Sequence, residues 1–117
     1  MSSMPLGAPR TQHLRLMKRV GPATSDDLIA EARALDKLGR RAEARAVYER
    51  AMRAMPGPSP SVASTLLRWI ARSYEVDADY SAAEDCAMAA VAAAELGDDR
   101  IALGHALNVL AAVRWRQ

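Results

Sequence analysis

Phenylalanine is missing from the 117 residues, and two Trp and three Tyr are the only aromatic side chains. A β core is normally filled with aromatic and β-branched residues, so their scarcity beside abundant alanine favours close-packed helices. Cys86 is the only cysteine, which excludes an internal disulfide and makes a reducing compartment the default. No Lys, Arg or His stands near it in sequence to hold a thiolate, so it reads as a small core residue. The two histidines, His13 and His105, are too far apart to form a pair at metal-ligand spacing. The longest run without a polar residue, Cys86 to Ala94, falls well short of the roughly 20 residues needed to span a membrane. A P-loop, a Gly-rich dinucleotide turn and a Gly-x-Ser-x-Gly elbow are also lacking. The acidic stretch Glu75-Val76-Asp77-Ala78-Asp79 lacks the glycine and terminal glutamate of a calcium loop and reads as a solvated turn. The remaining carboxylates fall in turns and on solvated helix faces. The expectation is a non-catalytic chain with no cofactor and no metal.

Charge is sparse in sum and uneven in distribution. The net charge is +2, yet residues 1–25 carry Arg10, Arg15, Lys18 and Arg19 and no acid. Residues 59–113 carry three arginines against eight acids, a net of −5. A nucleic-acid binder would concentrate positive charge on its folded part, so no nucleic-acid partner is expected.

What is present is a helical hairpin. From Asp27 to Pro56, Leu28, Ala32, Leu35 and Leu38 share one helical face, and Ala44, Val47, Tyr48, Ala51, Met52 and Met55 share another. Gly39 suits the C-terminus of the first helix and Pro56 stops the second. So short a connection makes the two helices antiparallel neighbours, with Ala32 and Ala44 small enough for close approach. The pattern returns 39 residues later: Leu28 maps to Leu67, Ala32 to Ala71, Leu35 to Tyr74, Ala44 to Ala83, Tyr48 to Ala87 and Ala51 to Ala90. A partial third copy follows at an offset of 40, Leu67 to Leu107 and Ala71 to Ala111. Six pairs at one offset indicate an internal repeat and point to a helical solenoid.

Carried by Leu28, Ala32, Leu35, Gly39, Ala44, Tyr48, Ala51 and Pro56, and by their counterparts through Ala111, the chain resembles the tetratricopeptide repeat family. The resemblance covers residues 24–117 and implies an all-α helical-hairpin solenoid, a superhelix of about five major helices. Glu31 and Arg41 stand where the family has larger apolar residues, Ala78 and Glu95 replace its glycine and proline, and each repeat is about five residues over the usual 34. Longer repeats of this kind resemble the helical sensor arms of large bacterial regulators.

In chain order, residues 1–23 form a basic N-terminal tail without periodicity, expected to be disordered. Residues 11–20 leave several readings open: a fraying tail, an over-long start with initiation at Met17, a short helix docked on the first repeat, or an acid-free organelle-import presequence. The first three go with a cytoplasmic protein and the last with an organelle; a bias of 14 Arg to 2 Lys resembles a GC-rich bacterial genome. Repeat 1 spans 24–56, opening on a capping box of Thr24 and Asp27. Repeat 2 spans 60–97, with Ser59 and Pro60 starting a helix to about Tyr74, and Ser81 with Glu84 forming a second capping box. Residues 99–117 form a half repeat or terminal helix.

The resemblance implies that the first helix of each hairpin lines a concave groove holding a peptide or partner helix. The groove positions here are Ile29, Arg33 and Asp36, then Thr65, Arg68 and Arg72, then His105, Asn108, Ala112 and Trp115. Arginines clamp carboxylates bidentately, so Arg33, Arg68 and Arg72, with Trp115, His105 and Asn108 beside them, imply an acidic or C-terminal peptide as partner. Ile29 and Arg33 stand where the family's carboxylate clamp has Lys and Asn. The alternative for these arginines is solubilising the face or pairing with Asp36 and Glu75. The half repeat leaves Leu107, Leu110 and Val113 without a partner helix, which points either to further repeats downstream or to a homodimer through the C-terminal helix. Function is expected to be that of a protein-interaction scaffold; the alternatives are an oligomerising or sensing arm of a bacterial transcriptional regulator, or an enzyme with an unrecognised site.

Overall fold

Thr24 and Asp27 cap the first described helix: Thr24 Oγ1 accepts from the Asp27 backbone N–H at 3.1 Å and Asp27 Oδ2 from the Thr24 N–H at 3.3 Å. These reciprocal bonds satisfy donors that a helix start leaves open. The computed structural model describes residues 24–117, in which five α-helices follow one another: α1 (Ser25–Lys37), α2 (Arg41–Ala54), α3 (Pro60–Val76), α4 (Tyr80–Leu96) and α5 (Arg100–Arg116). No strand occurs among the described residues. The tail expected at 1–23, with His13 and the basic segment 11–20, lies outside them.

Ser59 caps α3, accepting from the Val62 N–H at 3.2 Å, and Pro60 sits at the first helical position, where its missing N–H is harmless. The α4 cap differs from the expected Ser81–Glu84 box. Asp79 is the N-cap, accepting from the Ala82 N–H at 3.2 Å, and Glu84 instead pairs with Arg114. Asp79 wins because it immediately precedes the first helical residue, whereas Ser81 already lies inside α4. α3 also runs two residues past Tyr74, so Glu75 is a buried helical residue rather than part of a solvated turn.

Three helices end alike. After α1, Gly39 takes φ +79°, its N–H bonding the Asp36 carbonyl, while the Arg40 N–H reaches back to Leu35. After α3, Ala78 takes φ +63° with the same pair of bonds to Glu75 and Tyr74. After α4, the left-handed residue is Asp98 at φ +52°, not Gly97, which stays right-handed at φ −87°. Gly97 is needed for a different reason: a Cβ there would lie 2.7 Å from the Pro60 ring, where the end of α4 meets the start of α3.

Alanine makes the helix seams. Ala32 and Ala44 between α1 and α2, and Ala71, Ala83, Ala87, Ala90 and Ala94 between α3 and α4, are fully buried. Small residues at these contacts allow the backbones to approach closely. Each helix packs against the next, and α3 also meets α5. One core cluster joins α1, α2 and α3 around Leu28, Val47, Tyr48, Leu66 and Ile70; the other joins α3, α4 and α5 around Ala71, Ala87, Val109, Leu110 and Val113. Ser64, buried at the α3–α4 seam, donates its hydroxyl to the Ala90 carbonyl at 2.8 Å, satisfying both groups.

α3 and α5, 17 residues each, lie 40 positions apart, Pro60–Val76 against Arg100–Arg116, the offset expected for the third copy. At that offset the buried Leu66 and Ile70 answer to the buried Ala106 and Leu110, whereas Leu107 and Ala111, expected to match Leu67 and Ala71, face outward. Ion pairs also recur between hairpins. Arg45 of α2 reaches Asp77 at 2.6 Å and Ser73 Oγ at 2.9 Å, its guanidinium over the Tyr74 ring. Glu84, 39 residues on, reaches Arg114 at 2.8 Å and Gln117 at 3.2 Å near the end of α5.

Candidate functional site

Two chain reversals leave α1 and α3 pointing the same way, and their outward faces form two adjoining depressions. The first, of about 310 Å³, is lined by Arg33, Asp36, Arg41, Arg68, Trp69, Arg72, Ser73 and Val76. The second, of about 270 Å³, is lined by Ile29, Ser61, Val62, Thr65, Leu66 and Trp69. Trp69 is the wall between them.

The first depression gathers four guanidinium groups and one carboxylate. Arg33 stacks on the Trp69 ring, its guanidinium carbon 4.0 Å from the centroid, and donates to Tyr48 Oη at 3.5 Å. Tyr48 in turn donates to Asp36 Oδ2 at 2.9 Å, so Asp36 is already engaged. Burial pushes the Tyr48 hydroxyl up to about 12, because the ionised form would be stranded in the core. Arg41 donates to the Gly39 carbonyl at 3.4 Å. Arg72 touches Glu75 at 3.5 Å, but Glu75 is closer to Arg116, at 3.1 Å, and is shared between the two. Arg68 has no acidic partner among the described residues; its nearest aromatic is Trp69, 5.8 Å from the guanidinium carbon to the ring centroid. Its pKa is lowered, first by burial and then by the like charges of Arg33 and Arg72. The cluster thus holds positive charge under mutual repulsion. An incoming anion would relieve it.

Of the positions expected in a groove, Ile29, Arg33, Asp36, Thr65, Arg68 and Arg72 line the two depressions. His105, Asn108 and Trp115 do not; they are exposed on α5, Trp115 at 90%. The aromatic neighbour of the arginines is Trp69 instead. It falls at helical spacing with Val62, Thr65, Ser73 and Val76, so the signal was present in the sequence. Arg41 is the other added member, taking a position where an apolar residue was expected. Of the residues expected to be bare on the last helix, Leu110 and Val113 are buried against α4 and cannot mediate self-association, while Leu107 is half exposed. The large apolar side chains exposed on α5 are Ile101, Leu107 and Trp115.

Cys86 packs against both core clusters, and burial, reinforced by Asp85 and Glu49, raises its thiol pKa. Among the described residues, no group of three or more His, Cys, Asp or Glu is placed to hold a metal ion. Nor is any helix among them long and apolar enough to cross a membrane. Compared with protein-family models, curated proteins and solved structures, the chain matches none.

Proposed function

We propose that this chain is a non-catalytic protein-interaction module, built like tetratricopeptide hairpins, that holds an acidic segment of a partner protein against α1 and α3. The observation supporting this reading is the cluster of Arg33, Arg41, Arg68 and Arg72, faced among the described residues by the single carboxylate of Asp36, with no acid among them paired to Arg68. Guanidinium groups bind carboxylates through paired hydrogen bonds, and stacking on Trp69 holds Arg33 in position before any ligand arrives. The test is fluorescence anisotropy with a labelled glutamate-rich peptide. Wild-type chain binds it and releases it as salt rises. Arg68→Glu combined with Arg72→Glu abolishes binding while circular dichroism stays unchanged, because both side chains lie on the outer face of α3. Retained binding in that variant refutes the assignment.

A second reading, self-association through α5 as in an oligomerising arm of a regulator, draws on the exposure of Ile101 at 76% and Trp115 at 90%. Sedimentation that gives a monomer at high protein concentration removes it.

A further inference from the structure

Resting on the acidic-partner reading above, we propose that the two depressions act as one bipartite groove for an amphipathic acidic helix lying along α1 and α3, its apolar side over Ile29, Val62 and Thr65 and its carboxylates over Arg33, Arg68 and Arg72. The two halves share Trp69, so a ligand leaving one enters the other directly. On both helices the change of character falls at the same level. α1 presents Ile29 and then Arg33 one turn later; α3 presents Val62 and Thr65 and then Arg68 and Arg72.

The two halves also differ in what they leave unsatisfied. In the second depression both hydroxyls are already engaged: Thr65 Oγ1 donates to the Ser61 carbonyl at 3.0 Å, and Ser61 Oγ to Asp99 at 2.7 Å. Beside the Trp69 ring, that half presents the apolar side chains of Ile29, Val62 and Leu66. The first half holds Arg68, which has no acidic partner among the described residues, and asks for an anion. From Thr65 to Arg72 along α3 is about 10 Å at 1.5 Å per residue, or about two helical turns. A helix carrying its apolar and acidic residues about seven positions apart spans that distance on one face, and an open groove lined by two helices is a shape such a helix fills.

The experiment uses the full chain with Trp115→Phe, which leaves Trp69 as the only indole. The probes are alanine-rich peptides of about fifteen residues, long enough for marginal helicity, with two leucines and two glutamates about two turns apart, made in both orders. Binding is read by anisotropy and by the Trp69 emission shift. Replacing the leucines by alanine weakens binding about tenfold, the scale for burying an apolar side chain, and Val62→Gln in the protein removes that difference. Equal binding of leucine and alanine peptides, with Val62→Gln silent, overturns the bipartite groove and leaves the acidic-partner reading standing. Tighter binding by a peptide with its leucines and glutamates only about three residues apart overturns the helical occupant, since that spacing fits an extended strand. If no glutamate peptide binds, with or without leucine, the acidic-partner reading fails and this inference fails with it.

Discussion

Replacing Ala78 by glycine should make the protein more stable, although it deletes a methyl group. Ala78 is exposed and holds φ +63°, a conformation that costs an L-residue roughly 1–2 kcal/mol through the Cβ–carbonyl contact. Glycine removes that term but adds freedom to the unfolded chain, offsetting about 0.4–1 kcal/mol. The net gain is about 1 kcal/mol, corresponding to a Tm rise of about 4–8 °C for a domain of this size. Gly39 is the reciprocal case at φ +79°, and a Cβ there would meet only an Arg41 nitrogen 3.9 Å away. Gly39→Ala therefore isolates the backbone contribution and should lower stability by about the same 1 kcal/mol. The two sites lie in different hairpins, so their effects should add and the double variant should return close to wild type. Asp98→Gly should gain less than Ala78→Gly, because aspartate tolerates the left-handed region better than alanine. Urea denaturation followed by far-UV circular dichroism, with an unchanged m-value, reads all four variants. A destabilised Ala78→Gly, or a neutral Gly39→Ala, would refute the claim that these turns share one strained geometry.

Three further outcomes follow from the packing. Gly97→Ala drives a methyl into the Pro60 ring and should cost about 1–3 kcal/mol, as overpacking does; a double-mutant cycle with Pro60→Ala should show coupling of at least about 0.5 kcal/mol. Tyr48 has a folded pKa of about 12 against about 10 unfolded, so the stability it contributes is intact below pH 10 and is lost as pH rises from about 10 to 12, by about 2 kcal/mol. Chemical denaturation across that alkaline window checks it, and Tyr48→Phe should erase that step. Cys86, partly buried and with its thiol pKa raised, should react with a disulfide reagent more slowly than free cysteine and at an ordinary rate in urea; labelling of the native chain as fast as in urea would contradict its packing against the two core clusters.

Local chemistry was the most legible part of the sequence. The Thr24–Asp27 box, the Ser59-Pro60 start and the Ala32/Ala44 and Ala71/Ala83 seams depend on neighbours a few residues apart or on one repeated step, and a single sequence displays both. The α5 register was not legible in that way. Leu107, Leu110, Ala111 and Val113 supply apolar residues all round the helix, so periodicity alone cannot choose the buried face; packing of Leu110 and Val113 against α4 does. The Ser81–Glu84 box failed because the helix starts at Tyr80 with Asp79 as its cap, and a four-residue motif has no knowledge of Arg114, thirty residues beyond Glu84. The arginine cluster was legible as a face, but Trp69 was not legible as the wall beside it. Its role depends on Arg33 crossing from another helix to cover it.

The ties between hairpins carry a polarity that fixes their order. Arg45 meets an acid near the end of α3, whereas its counterpart Glu84 meets a base near the end of α5. Transplanting α5 into the place of α3, end on end, would set Gln117 where Asp77 meets Arg45, and the reverse move would set Tyr74 where Arg114 meets Glu84. Both exchanges lose the ion pair of the native joint without forming another. Two hairpins alike enough in their alanine seams to stack in either order are thereby told apart, and shuffled or swapped assemblies of this chain carry a mismatch at each joint.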